Sequence, residues 1–351
     1  MYTKMIDSSP MSKHAFYQTH LNQVSRSFAF CIERLDEPLR SWVGLSYLLF
    51  RLLDTIEDAP WAKVEKQNES FQEFMRALNY VEHSETWVQS LSVPMTDHEK
   101  QLLEVAPLLF RDFHQLPIAT KMVLRAALEN MARGMMHFAN RRPLRILDLA
   151  ELNQYCFFVA GLVGELLSQL RDCAVVGARP IAQENRLNAF HFGMFLQKIN
   201  ILKDQLQDEK EGRYLVPSRS ELFASLHLHA EFAKDYLFAI PIVEKGYRLF
   251  CAWSLFLALA SLPWMQSSWR RAMLDKIPRA ATQILLGKIE SIIGDDQQLE
   301  LLYREMIASE FAPNENAAVE SLAVAKLEMN WFFEIYRGEM SLQEMRELRL
   351  T

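Results

Sequence analysis

The segment Tyr47-Leu48-Leu49-Phe50-Arg51-Leu52-Leu53-Asp54-Thr55-Ile56-Glu57-Asp58 constrains this chain more than any other. It is an apolar run that ends in three carboxylates. A second segment has the same plan: Phe195-Leu196-Gln197-Lys198-Ile199-Asn200-Ile201-Leu202-Lys203-Asp204-Gln205-Leu206-Gln207-Asp208 starts apolar and ends in two aspartates four residues apart. On a helix, positions i, i+4, i+7 and i+11 share one face. In the first segment that stripe is Tyr47, Arg51, Asp54 and Asp58, with Glu57 beside it. In the second it is Gln197, Ile201, Asp204 and Asp208, with Asn200 beside Ile201. The other faces are mostly Leu, Phe and Ile. A polar stripe set in apolar surroundings differs from the broad polar face of a surface helix. Two such segments in one chain imply two carboxylate clusters facing one cavity.

The rest of the sequence supports a helical setting. Glycine is scarce, at 11 of 351 residues, and 50% of the residues are hydrophobic. Leu, Ala, Glu, Gln and Met are abundant, and no alternating pattern marks a strand, so the expected class is all-α. Helices are expected over 11–32, from Asp36-Glu37-Pro38 to Asp58, and over 63–82, 97–112, 117–138, 148–171 and 183–208. A long helical region follows over 219–262, then helices at 280–293, 295–309 and 316–337. Asp36 is the expected cap of the second helix, with Pro38 in its first turn, and Ala59-Pro60 is its stop. Gly161 and Gly164 lie inside an apolar helix, where each costs about 1 kcal/mol relative to alanine, so they are expected to let another helix or a ligand approach closely. No linker, repeat or low-complexity tract divides the chain, and residues 1–351 are expected to form one domain.

Several function classes are excluded. A net charge of −6 gives no general attraction to nucleic acid. Cys31, Cys156, Cys173 and Cys251 form no CxxC pair, and the histidines form no HExxH, so zinc is not expected. Isolated cysteines in apolar settings read as reduced core residues of a cytoplasmic protein. The N-terminus lacks the apolar core of a signal peptide. The run from Leu249 to Met265 falls short of the roughly 20 apolar residues of a spanning helix. It is expected to be a buried core helix rather than a transmembrane segment, with a surface that leans on a membrane or holds a greasy ligand as the alternative.

Carboxylates at helix C-termini face the unfavourable end of the dipole, at roughly 0.3–1 kcal/mol per group, and repel one another. Cations must compensate. Arg51, Lys198, Lys203 and Arg213 are candidates, and so is a divalent metal. Oxygen ligands at i, i+4 spacing suit Mg²⁺, which completes its shell with water and substrate phosphate. Solvated acidic helix ends are the plain alternative, but two such pairs, each following a buried-looking helix and beside basic residues, point instead to a diphosphate ligand. The apolar flanks point to a hydrocarbon remainder.

The sequence resembles the squalene/phytoene synthase family of head-to-head prenyl synthases, and within it the squalene-forming branch. The likeness is carried by Ser25-Arg26-Ser27-Phe28, by the two acid-ended segments, by Tyr155-Cys156-Phe157-Phe158-Val159-Ala160-Gly161-Leu162-Val163-Gly164 and by Gly212-Arg213, in matching order over about residues 12–290. The resemblance implies an isoprenoid-synthase helical bundle around a central cavity. It implies that Asp54, Glu57, Asp58, Asp204 and Asp208 hold Mg²⁺ against the diphosphates of two farnesyl diphosphates. Arg51, Arg213 and Lys203 would contact phosphate, Lys203 standing where the family commonly has Arg. Tyr155 and Tyr47, with Arg51, would be the catalytic side chains. Gln197 would contact substrate, as would Phe28 and Phe250 as cavity aromatics, and helices containing Phe157, Leu162 and Phe250 would form a dry wall.

Two farnesyl diphosphates would then join through presqualene diphosphate and be reduced to squalene with NADPH. Ser25, Ser27 and Asn200 match positions linked with that cofactor, and Lys276 and Arg279 are the basic residues of the expected cofactor loop Asp275-Lys276-Ile277-Pro278-Arg279. Glu165 stands where carotenoid-type relatives often carry Glu. A non-reducing relative making dehydrosqualene, phytoene or presqualene diphosphate is the alternative. A non-catalytic prenyl or lipid carrier and a Mg²⁺-dependent phosphohydrolase are more distant ones. The enzyme is expected to be a monomer that touches a membrane peripherally when product leaves.

Overall fold

The structure is a computed structural model and describes residues 13–175, 183–271, 277–310 and 335–338. Where one helix was expected over 11–32 there are two, α1 (Lys13–Val24) and α2 (Arg26–Ile32). Ser25 makes the break. Its backbone is extended, and its hydroxyl accepts the Phe28 N–H at 3.5 Å, the usual work of an N-cap. Helix α3 (Leu39–Asp58) ends as expected, because Ala59 precedes a proline and takes extended geometry with ψ 143°. Its start differs. Pro38 is the capping position and supplies no side-chain bond, while the Glu37 carboxylate accepts the Ser41 N–H at 3.3 Å.

The expected 63–82 helix is α4 (Val64–Asn79), and an unexpected short helix, α5 (His83–Ser90), follows it. Helix α6 (Asp97–His114) opens with a reciprocal Thr96–Glu99 capping box, and α7 (Ile118–Ala139) follows. The expected 148–171 helix is interrupted. It comprises α8 (Leu149–Cys156), a π-helical turn at Phe157–Gly161, and α9 (Leu162–Ala174). Such turns insert a residue into a helix and often mark functional sites. Helix α10 (Gln183–Lys210) carries the second acid pair. Two short strands accompany the expected all-α fold: Leu144–Arg145 (β1) and Arg213–Tyr214 (β2) form a parallel ladder pairing Leu144 with Arg213. Two residues per strand are too few for alternation to appear in a sequence.

The region expected to be helical over 219–262 breaks at Pro241, giving α11 (Arg219–Ala239) and α12 (Lys245–Arg271). Ile240 before the proline is extended. The buried Arg248 covers the exposed ends, donating to the carbonyls of Leu237 at 3.2 Å, Ile240 at 2.6 Å and Ile293 at 2.9 Å. Helices α13 (Arg279–Ile292) and α14 (Asp296–Glu310) complete the bundle. The helix expected over 316–337 lies almost wholly outside the described residues. By length and composition Lys245–Pro263 meets the requirement for a spanning helix, which the shorter run read from the sequence did not. Of its most apolar window 72% is buried inside the protein.

The buried apolar side chains form one continuous core from Tyr17 to Tyr336. Helix α9 packs against both α3 and α10. The contact of α9 and of the π turn before it with α10 is backbone to backbone: a Cβ on Gly164 would lie 1.9 Å from the Ala189 carbonyl oxygen, and one on Gly193 would lie 2.1 Å from that of Ala160 in the turn. The close approach expected at Gly164 is therefore present, and its partner is a helix. This packing sets the distance across which α3 and α10 face each other.

Candidate active site

A cavity of about 1050 Å³ lies between α3 and α10. Helix α3 lines it with Tyr47, Arg51, Asp54, Glu57 and Asp58, and α10 lines it with Gln197, Asn200, Lys203, Asp204 and Asp208. Both stripes read from the sequence therefore face one space. Tyr155 from α8 and Arg213 from β2 reach the same acidic end.

Cations hold the acids in place. Arg51 Nη1 donates to Asp54 Oδ2 at 2.9 Å. Arg213 spans the two helices: Nη1 donates to Asp58 Oδ1, and Nη2 donates to Asp208 Oδ1 at 2.6 Å and to Glu211 Oε2 at 3.2 Å. Arg213 can turn back onto α10 because Gly212 has φ +79°, a conformation that side chains disfavour. The Tyr155 hydroxyl donates to Glu57 Oε1 at 3.4 Å. Burial raises the Asp54 carboxyl above its ordinary range. Burial, reinforced by Asp58, pushes Glu57 up to about 8. Burial likewise raises Asp208 to about 6 against the pull of Arg213.

Six carboxylates here, Asp54, Glu57, Asp58, Asp204, Asp208 and Glu211, face three cations, Arg51, Lys203 and Arg213. In addition, the Nε atoms of Arg51 and Arg213 are buried without a hydrogen-bond partner. Unused guanidinium donors beside an all-oxygen acid cluster fit a phosphate ligand with a hard divalent cation such as Mg²⁺. Among the described residues no group of three acids, histidines or cysteines could hold a metal ion by itself. Mg²⁺ would be held by Asp54, Glu57 and Asp58 on one side and Asp204 and Asp208 on the other, sharing ligand oxygens.

Away from the acids the cavity turns apolar. The Phe28 ring lies 5.7 Å from the Tyr47 ring, and burial raises the Tyr47 hydroxyl above its ordinary pKa. Phe250 of α12 also lines the cavity. The helical segments that contain Phe157 and Leu162 line the cavity as expected, though Phe157 and Leu162 themselves do not. Phe157 stacks on Phe190 at 5.1 Å, and Leu162 is buried. The π turn inserts a residue into the helix, and Val159, Ala160 and Val163 line the cavity instead. Tyr236 and Tyr247 also line it, their hydroxyls 2.6 Å apart, with Ser168 Oγ 2.6 Å from Tyr236. Sequence reasoning missed both tyrosines, which look like ordinary core residues. Thr96 and Glu99, which reach the rim from the start of α6, carried only a capping signal.

Of the residues linked with a reductant, Ser25 and Asn200 line the cavity. The side chain of Ser27 and the whole of Lys276 lie outside the described residues. Arg279 departs from expectation: it is the first residue of α13, exposed, and not part of the cavity wall. Pro278 starts that helix immediately before it, which leaves Arg279 in a solvent-facing first turn.

Residues 21–220, more than half of the chain, match the family model described as squalene/phytoene synthase. The chain belongs to the squalene/phytoene synthase family. The squalene synthase of Bos taurus is 33% identical over 214 residues, covering 61% of this chain and 48% of that protein. Squalene synthase LSS of Botryococcus braunii is 32% identical over 250 residues, covering 70% of this chain and 49% of that protein. The match thus spans about half the length of these curated relatives. A solved structure of TcSQS with a ligand, BPH1237, superposes with a TM-score of 0.73 at 26% identity, covering 88% of this chain and 99% of that one. The expected isoprenoid-synthase bundle around a cavity is the fold observed.

Proposed function

We propose that this family member joins two farnesyl diphosphates head to head through presqualene diphosphate and reduces the product to squalene with NADPH. One observation carries the reading. Two acid-ended helices meet at one end of an otherwise apolar cavity, and Arg213 bridges them.

The side chains divide the work. Arg51, Arg213 and Lys203 are placed to bind diphosphate and to offset the charge that develops as it leaves. Mg²⁺, when bound, would supply Lewis-acid neutralisation of the departing oxygens. Tyr155 is held well above its ordinary pKa by burial and by Glu57, so it stays a neutral phenol. Its ring and hydroxyl sit beside the reacting carbons, where a π face stabilises an allylic cation and a hydroxyl guides proton loss as the cyclopropane closes. Tyr47 and Phe28 offer a second aromatic face, and Gln197 a polar contact beside them. Val159, Ala160, Val163 and Phe250 exclude the water that would quench a cation to an alcohol. Ser25 and Asn200 are the cavity residues offered to NADPH, which would supply hydride in the second half of the reaction.

A second reading, a non-reducing relative making dehydrosqualene, is favoured by the exposed position of Arg279. In either case the product is a long hydrocarbon, so a monomeric cytoplasmic enzyme that touches a membrane peripherally to release it belongs to the same proposal. The test is incubation with farnesyl diphosphate and Mg²⁺, with and without NADPH. Squalene formed only with NADPH is the expected result. Dehydrosqualene in both incubations would remove the reductive step, and no coupled product would remove the whole reading.

A further inference from the structure

One charged side chain of α10 faces neither the cavity nor solvent. Lys198 is fully buried, one residue after the cavity-lining Gln197. Its Nζ lies 2.5 Å from Asn153 Oδ1 on α8 and 2.7 Å from His229 Nε2 on α11, and it also bonds Ser225 Oγ on α11. An ammonium has three N–H donors, and three acceptors surround this one. With Nε2 accepting, His229 keeps its proton on Nδ1 and donates it to His191 Nδ1 at 2.8 Å. Both imidazoles are then neutral, in keeping with the burial that lowers His191 to about 3 and His229 well below its ordinary value.

Among the described residues no carboxylate pairs with Lys198. The titratable groups facing it are His229 on α11, His191 on its own helix through His229, and the Cys156 thiol on α8, which burial pushes up to about 12. An ammonium buried among neutral dipoles is costly to keep. Its position says what it does. Asn153 is two residues before Tyr155 and Lys198 one residue after Gln197, so the contact joins the backs of two helices whose fronts face the cavity. Helix α8 has only eight residues and runs into the π turn. Within that turn Gly193 clasps Ala160, and beyond it Gly164 clasps Ala189. Before it, Lys198 supplies the tie.

We propose that Lys198 is a positioning residue: its Nζ, bonded to Asn153, Ser225 and His229, ties α8 to α10 and α11, and so holds Tyr155 in register with the second acidic helix. The inference rests on the farnesyl diphosphate reading for its consequence in turnover, but not for the tie itself.

The test is a double-mutant cycle in the full chain with Lys198→Met, Asn153→Leu and both together, with Asn153→Asp as the variant that keeps an acceptor. Each single change should lower kcat about tenfold with KM for farnesyl diphosphate held within about threefold, because a misplaced group costs turnover more than binding. The double variant should lose no more than either single one. Asn153→Asp should retain turnover. Multiplying losses, or no loss, would overturn the proposal. Amide hydrogen exchange over 149–158 supplies a readout independent of activity. It should quicken in Lys198→Met and Asn153→Leu while α3 stays protected, and unchanged exchange would refute the tie. An inactive wild type would sink the proposed function and leave exchange to decide this one. Should Lys198→Met fail to fold, the Asn153 pair decides it.

Discussion

The two acidic helices share a sequence plan but not an environment. Helix α3 is embedded: Leu48, Leu49, Leu52 and Leu53 are all fully buried beneath its polar stripe, and Asp54 keeps its own cation, Arg51, within 2.9 Å. The acid end of α10 is looser. Lys203 and Asp204 lie 3.8 Å apart with side chains 48% and 52% exposed. An exposed pair at that distance contributes little, on the order of 0–1 kcal/mol. One acid cluster is therefore set before ligand arrives, and the other can adjust. Arg213 is what couples them.

The largest effect should come from the preset side. Asp54→Asn should lower kcat/KM about 1000-fold, the scale of losing a main group that stabilises developing charge. Asp204→Asn should cost about tenfold less, because its neighbourhood can relax. Steady-state rates on farnesyl diphosphate at saturating Mg²⁺ measure both, and an equal loss would erase the contrast between the helices. Next comes the coupling. Arg213→Lys keeps the charge and loses the fork that reaches Asp58 and Asp208 together, so it should cost about 100-fold in kcat/KM. Lys203→Arg, on the adjustable side, should change the rate by less than about threefold.

The contrast extends to the backs of the helices. Beneath α3 there is hydrocarbon, whereas α10 carries Lys198. Burial lowers that ammonium from 10.5 to about 7. A base whose pKa is depressed on folding binds fewer protons in the folded chain between those two values, so stability rises with pH across the window and the gain is lost as pH falls toward 7. From pH 7 to 9 the wild type should gain about 2 kcal/mol relative to Lys198→Met. Urea unfolding at the two pH values measures it, and a parallel response in both proteins would place the missing proton elsewhere.

Much of this fold and site is legible in the amino-acid sequence. Tyr47 to Asp58 and Gln197 to Asp208 declare themselves, because a polar stripe at helical spacing on an apolar helix is a periodic signal and periodicity survives in sequence. Ala59-Pro60 and Gly212 act through local backbone geometry, which is also written locally. What stays hidden depends on contacts between distant segments or on a shift of phase. The π turn at Phe157–Gly161 changes which residues face the cavity, so the sequence shows that this apolar helix forms wall but not that Val159, Ala160 and Val163 form it while Phe157 and Leu162 are core. Arg213's grip on Asp58 crosses 155 positions. Lys198 looks like one more compensating cation for the acids, because nothing local shows that Asn153, Ser225 and His229 converge behind it.

The far end of the cavity supplies the smallest and sharpest comparison with the acid end. At the acid end Arg51 and Arg213 keep buried donors unused. At the far end hydroxyls satisfy one another. Ser168 donates to the Gly164 carbonyl at 3.3 Å, so it accepts from Tyr236, and Tyr236 in turn accepts from Tyr247. That direction makes the two tyrosines unequal. Tyr236→Phe strands the Tyr247 donor and should cost about 1–3 kcal/mol, the desolvation penalty of an unmade bond. Tyr247→Phe leaves only a lone pair on Tyr236 unfilled and should cost about 1 kcal/mol or less. Denaturant midpoints of the two variants rank them. A freed Tyr247 hydroxyl lining the cavity can hold a water molecule, whose oxygen adds to the allylic cation with loss of a proton, so Tyr236→Phe alone should yield a trace of prenyl alcohol beside the main product. If Tyr247→Phe proved the costlier change, the chain of donors would run the other way and the alcohol should follow that variant instead.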